Sequence, residues 1–489
     1  MSSAKAKTIA TREAKNRRTR IVATIGPASD SPEVLRKMAD AGMDVARIPL
    51  AHGSIEDAIA RVKRVRETAP EVGILADLPG PKIRASEFPK GGVVLATGSE
   101  VVLGSSEEIK ESSANAIGVS NPDIVAGLEE DDLVAIGDGG VSLRVISVTG
   151  KGIKAVVRAG GKVQGRPGVT VPTSRVQLVT PTKEDLERLH ALVEVGVEMV
   201  AISFVRSAAD VESVRRAAGP EAPLLCAKIE TPQGVLEIDR ILETADMVMV
   251  ARGDMGVRLP LEDVPHIQKQ IIRSGVRYGR PVITATQMLE SMITSLVPTR
   301  AEVTDVANAV LDGSSAVMLS AETAVGVDPV NVIATMSKIV ERSEENFDYI
   351  TWGNELGAQQ ISGPSSAPER ITAAITSAAW RAAVEQDAKA IIACTSSGAT
   401  ARAISRFRPP MPILATTPYQ RTAHQLTVSW GVDSLVVQKV KSTDDVVWFA
   451  VQAAVDNGYA RSGDVVVVLA GSPDEANPIA DTLRIVRIA

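Results

Sequence analysis

Cysteine and aromatic side chains are scarce in this chain: among 489 residues there are two Cys, five Phe, four Tyr and four Trp. Cys226 lies inside one apolar run and Cys394 ends another, which is neither a disulfide framework nor a zinc-ligand spacing. No apolar run reaches the length of about 18 residues that spans a bilayer, and no apolar core follows the N-terminus, so the expectation is a cytoplasmic protein with no membrane partner. An excess of one charge is missing too. The formal net charge of −6 is spread along the chain, and no basic field points to nucleic acid. Only the cluster Lys5, Lys7, Arg12, Lys15, Arg17, Arg18 and Arg20 stands out, and it reads as a disordered basic tail over residues 1–18.

Aliphatic residues, Ala and Gly are plentiful, which suits α/β layers, and the length implies two to four domains. Short β-branched runs recur, each followed by a polar turn and a stretch of helical period, the pattern of consecutive βα units. They are Arg20–Ile25, Val45–Pro49, Gly73–Asp77, Met199–Ser203, Leu224–Ile229, Met247–Val250, Val282–Ala285 and Ala316–Leu319. Such a set closes a (β/α)8 TIM barrel, expected here over 19–86 and 174–350. Between the third and fourth runs, residues 87–173 alternate apolar and polar positions between Gly turns, which predicts a small inserted β lid domain. Residues 351–368 have linker composition, and 369–489 predict a C-terminal α/β domain with strands Ala390–Cys394, Pro412–Ala415, Ser434–Val437 and Asp464–Leu469.

A barrel carries its chemistry at the C-terminal ends of its strands. There Lys228 and Glu230 are two apart, on one face of a strand, a spacing that also fits a plain buried salt bridge. Asp254, after the next strand in the stretch Arg252-Gly253-Asp254, can face Glu230. Two carboxylates make a hard oxygen site for Mg2+ or Mn2+, and the amides of Gly253 and Asp254 can hold a carboxylate. Thr284 and Thr286 share one face of the seventh strand, where a hydroxyl either orients a water or fills a barrel layer. Arg47, His52, Asp77, Lys82 and Arg84 form a cationic rim, as phosphoryl transfer requires. Taken singly, each of these has a bland reading as a surface ion pair or a satisfied loop residue.

These stretches carry a resemblance to the pyruvate kinase family: RIVATIGPAS at 20–29, ADLPGPKIR at 76–84, SFVRSA at 203–208, AKIETPQG at 227–234, VMVARGDMGV at 248–257, ITATQMLESM at 283–292 and PTRAEVTDVANAVLDG at 298–313. The resemblance implies phosphoryl transfer from phosphoenolpyruvate to ADP, giving pyruvate and ATP, in a homotetramer. It puts the divalent metal on Glu230 and Asp254, charge stabilisation on Lys228 and the substrate phosphate on Arg47. The substrate carboxylate falls to Gly253, Asp254 and Thr286, the proton source to Thr286, and nucleotide or phosphate contacts to His52 and Arg84. It also places a phosphorylated effector in the loop Thr395, Ser396, Ser397, Gly398 and Thr400, where helix capping is the equal alternative.

The chain departs from the family pattern at Pro49 and Ala51, which lack side-chain oxygens, and at Leu78 in place of Thr. Only Asp77 remains of the family's potassium cage, and Lys82 stands where a fixed ammonium replaces the ion, so independence of K+ is expected. Pro167-Gly168 replaces the lid lysine, with Arg166 as its nearest substitute. Three other readings stay open: a divergent paralogue of weak, redirected or regulatory function, a scaffolding subunit, and a metal-dependent aldolase or lyase.

Overall fold

Eight short strands, buried at nearly every position, close a parallel barrel: β1 (Arg20–Thr24), β2 (Val45–Pro49), β3 (Gly73–Leu78), β4 (Met199–Ile202), β5 (Leu224–Ile229), β6 (Met247–Ala251), β7 (Val282–Ala285) and β8 (Ala316–Leu319). The seam is β8 on β1, with Ala316 opposite Arg20 and Leu319 opposite Ala23. The computed structural model describes residues 7–8, 17–51, 53–120, 126–137, 140–149, 152–172, 179–358, 367–471 and 479–489.

The alternation of side chains along each strand divides the apolar residues between two cores. Val22, Val45, Leu75, Met199, Met249 and Ile283 point inward with Cys226 and fill the barrel, and Val428 of the C-terminal domain packs into the same cluster. The opposite positions pack against the surrounding helices. Burial raises the Cys226 thiol far above its ordinary range, so it stays protonated and serves as a small core residue. The return helices start on side-chain caps written in the sequence, such as the capping boxes Ser54 with Asp57, Thr182 with Asp185 and Thr299 with Glu302.

Between β3 and β4 the chain builds a lid of mostly antiparallel strands with its own core, centred on Leu103, Leu143, Val145 and Ala155; of its described strands only Glu100–Ser105 and Ala116–Val119 pair parallel. Its strands include three that the sequence pattern does not suggest: Ala116–Val119, Gly161–Gly165 and Val169–Thr170. The C-terminal domain is a sheet with β9 (Ala390–Cys394), β10 (Ile413–Thr417), β11 (Val432–Val436) and β12 (Val465–Ala470), in the order β11-β10-β9-β12, edged by the antiparallel β13 (Thr482–Arg487).

Two expected boundaries are corrected. Arg17 and Arg18 are not tail: Arg17 is buried against Asp44 at 2.7 Å, and Arg18 stacks over Tyr349 and Trp430. Lys7–Thr8 pairs antiparallel with β11, since an edge strand offers unpaired backbone groups to any extended segment. The expected linker over 351–368 begins as helix, Tyr349–Ala358, and helix resumes at Ala367–Glu385. The aromatic contacts of Trp352 with Phe347 and Arg408 outweigh its Gly-containing composition.

Candidate active site

The C-terminal strand ends converge on a cavity lined in part by Arg47, Asp77, Lys228, Glu230, Asp254 and Thr286. At its base lies Asp77, 3 % exposed. Arg47 donates to Asp77 Oδ2 from Nε at 2.8 Å, with its terminal nitrogen at 2.7 Å from the same oxygen, and to Thr24 Oγ1 at 3.0 Å. Lys228 Nζ donates to Ser203 Oγ at 2.6 Å and stands 3.4 Å from Asp77 Oδ1 and 3.7 Å from Glu230 Oε2. Ser203 in turn donates to the Leu78 carbonyl at 2.7 Å, which fixes the ammonium from below.

Burial alone would raise Asp77, yet Lys228 and Arg47 outweigh it and hold the carboxyl below its ordinary value. Burial alone would likewise lower Lys228, but Asp77 and Glu230 keep it above the usual lysine value and charged. Glu230 is the opposite case. It is fully buried, and burial first, with the charge of Asp254 added, pushes it up to about 7 against the pull of Lys228. Its Oε1 accepts from the Phe204 amide at 2.7 Å, while its Oε2 is buried with no hydrogen-bond partner.

An orphaned carboxylate oxygen facing a second carboxylate, with burial set against its charge, is the donor set a small hard dication satisfies. Among the described residues no group of three or more His, Cys, Asp or Glu is arranged for a metal.

Asp254 lies in the first turn of the helix Arg252–Arg258, which starts directly from β6. Arg252 turns away from the mouth, to Asp305 at 2.7 Å and the Thr286 carbonyl at 2.5 Å, and so ties this helix to the loop after β7. In that loop Thr286 and Gln287 hold φ of 69° and 53°, left-handed values uncommon for residues with side chains. The turn presents Thr286 Oγ1 to the Gly253 amide at 2.8 Å, and the hydroxyl donates to the Ala285 carbonyl at 2.6 Å.

Residues 16–333 match the family described as "Pyruvate kinase, barrel domain", and residues 373–486 match "Pyruvate kinase, alpha/beta domain". The chain belongs to the pyruvate kinase family. Its relatives include the pyruvate kinase of Methylorubrum extorquens, 40 % identical over 94 % of this chain and 95 % of that protein. That of Agrobacterium vitis is 40 % identical over 96 % and 98 %, and that of Mycobacterium tuberculosis 39 % over 94 % and 95 %. Membership of the pyruvate kinase family makes the chain a phosphotransferase, with the barrel, inserted sheet and C-terminal α/β domain of that fold.

Of the residues that the pyruvate kinase resemblance nominates, Arg47, Asp77, Lys82, Lys228, Glu230, Asp254 and Thr286 line the one cavity. His52 lies outside the described residues. Arg84 sits at the hinge to the lid, its guanidinium on the Arg166 and Ala51 carbonyls at 3.2 and 3.5 Å. Burial first, then the nearby charge of Arg166, lowers Arg84 from the ordinary arginine value.

Two local expectations change. The Gly253 amide is not unpartnered, since it donates to Thr286 Oγ1. Thr284 and Thr286 do not share a strand face, because β7 ends at Ala285; Thr284 is fully buried on Ser314 Oγ at 2.7 Å, a packing role. Ser203 and Phe204 are the functional neighbours not singled out from sequence. Their position directly after β4 was the available signal, since every barrel strand end is a candidate.

Proposed function

We propose that the chain transfers the phosphoryl group of phosphoenolpyruvate to ADP, giving pyruvate and ATP, as a cytoplasmic glycolytic enzyme. The observation that carries this reading is Lys228, whose ammonium is fixed by Ser203, Asp77 and Glu230 beside the orphaned Glu230 oxygen. Glu230 and Asp254 would hold Mg2+ or Mn2+. That ion, when bound, neutralises charge on substrate oxygens.

The remaining work falls to side chains. Arg47, locked on Asp77 and Thr24, presents positive charge to the substrate phosphate. An ADP terminal oxygen attacks phosphorus as the bond from phosphorus to the enol oxygen breaks, and Lys228 faces the charge of the group in flight. The resulting enolate takes a proton at carbon, and Thr286, fixed by the Gly253 amide, is placed to order the proton donor. The Asp254 amide and Thr286 receive the substrate carboxylate; Arg84 and Arg166 at the lid meet the nucleotide phosphates.

Potassium independence is part of the proposal. Both Asp77 oxygens face Arg47 and Lys228, and Pro49, Ala51 and buried Leu78 supply no side-chain oxygen, while Lys82 adds a cation to the same cavity. A phosphorylated effector fits the cleft of Thr395, Ser396, Thr400 and Lys439, although Thr395 and Ser397 also cap the turn through the Gly398 and Ala399 amides. The assembly we propose is a homotetramer, which light scattering checks.

The decisive assay is steady-state pyruvate formation from phosphoenolpyruvate and ADP with Mg2+, beside Lys228→Met. Turnover that falls at least about 10²–10³-fold in the variant supports the assignment. Absent turnover in the unaltered chain, with phosphoenolpyruvate still binding, would mark a divergent paralogue.

A further inference from the structure

Glu230 is oriented by a backbone amide on the neighbouring loop, and that amide belongs to a residue in an uncommon conformation. Phe204, two residues past the end of β4, holds φ of 59°, a left-handed value that is costly for a bulky side chain. Its amide donates to Glu230 Oε1 at 2.7 Å, and Oε2 is the oxygen left without a hydrogen bond. The residue before it, Ser203, anchors the Lys228 ammonium. One tight turn therefore sets both groups, and such a turn persists only where its surroundings hold it.

On the reading of Glu230 and Asp254 as the metal pair, on which this rests, we propose that Arg258 is a positioning residue for Glu230. Its guanidinium, stacked on the Phe204 ring, keeps the turn in the conformation that fixes the carboxylate.

Arg258 stands one helical turn after Asp254, at the end of the helix Arg252–Arg258. Its guanidinium carbon lies over the Phe204 ring, 4.6 Å from the centroid. Nε and Nη1 are buried with no hydrogen-bond partner, so the aromatic face is what holds the group. The ring is 4 % exposed, and it lies so close to Gly80, on the way from β3 into the lid, that a Cβ there would meet its Cδ2 at 2.9 Å. Arg258 and Gly80 thus confine the ring, and with it the backbone that presents the amide. The stack also joins the two carboxylates, since Phe204 holds Glu230 and Arg258 shares a helix with Asp254.

A plain charge effect has the opposite sign. The Arg258 charge reaches Glu230, and a cation beside the pair repels a bound dication, so its removal by itself would tighten metal binding.

The test is Mn2+ titration of the full-length, substrate-free protein, followed by the electron paramagnetic resonance of the free ion. It is run at about pH 8, where Glu230, raised by burial to about 7, is ionised. Arg258→Ala should weaken Mn2+ at least about tenfold, the scale of a lost outer-shell partner. Arg258→Lys, which keeps a cation over the ring, should stay within about threefold of the parent. Phe204→Leu, which leaves every charge in place, should weaken Mn2+ as Arg258→Ala does, and the double variant should match the weaker single one within about twofold. Should Arg258→Ala fail to melt cooperatively, Phe204→Leu carries the comparison. Unchanged or tighter binding in Arg258→Ala, or indifference to Phe204→Leu, would overturn the proposal and leave the metal site standing. Absence of Mn2+ binding in the parent would overturn both.

Discussion

At the scale of single residues, the active site is a chain of neutralised charges in which each group is held by the next. Lys228 depends on Ser203, whose hydroxyl accepts from the ammonium and donates to Leu78. Ser203→Ala should lower kcat about tenfold, the worth of one charge-assisted hydrogen bond, with little change in KM for phosphoenolpyruvate. A matching rise in KM alone would show that Ser203 serves binding and not the placement of the ammonium.

Glu230 gives a second test. In chelator its carboxyl, raised to about 7, keeps a proton that the unfolded chain has already released, so stability falls as pH rises between the ordinary glutamate value and about 7. Melting temperature in EDTA should therefore decline from pH 5 toward pH 7 more steeply than in Glu230→Gln, and Mg2+ should remove the decline; equal slopes would refute the assignment. Lys228, Glu230 and Asp254 were legible in sequence because charge at a barrel strand end is conspicuous. Ser203 and the Phe204 amide were not, because a hydroxyl or backbone group shows its role only once its partner is placed.

At the scale of elements, the barrel strands were readable because continuous apolar runs leave little choice of register when both faces are buried. The bounds of β2, β5, β7 and β8 agree with those expected from the runs alone. Lid strands such as Gly161–Gly165 escaped notice because glycine carries no side-chain alternation. Helix Tyr349–Ala358 was hidden by a composition that reads as linker, and what secures it is contact with distant segments: Tyr349 packs on Trp430, and Trp352 lies against Arg408 and donates to the Arg406 carbonyl.

Strand ends also set the ion requirement. The ends of β2 and β3 give one carboxylate to the region between them, and two cations already face it. Turnover at constant ionic strength should change less than about twofold when Na+ is replaced by K+, since an oxygen cage with one neutralised acid offers little to a monovalent ion. A severalfold rise with K+ would show that the site still binds it.

Across the whole molecule, the C-terminal domain is seated under the barrel with almost no clearance. A Cβ on Gly73, the first residue of β3, would lie 2.2 Å from Thr427 Oγ1 and 2.8 Å from the His424 carbonyl. Since the carbonyl belongs to backbone, the domains must part slightly to admit it. Gly73→Ala should cost about 1–3 kcal/mol in chemical denaturation, and calorimetry should show the two domains melting less cooperatively. A variant as stable as the parent, with one sharp transition, would show the contact to be yielding.

The junction has a further property. Trp352 and Trp430, two of the four tryptophans, meet there beside Phe347 and Tyr349, and Arg408 lies 5.3 and 5.1 Å from their rings, with Arg18 5.4 Å from Trp430. Indole emission responds to the field of a nearby charge. The protein thus carries its own optical gauge at the place where its two largest domains meet, and any ligand that rotates one against the other should announce itself in intrinsic fluorescence, without a label and in real time.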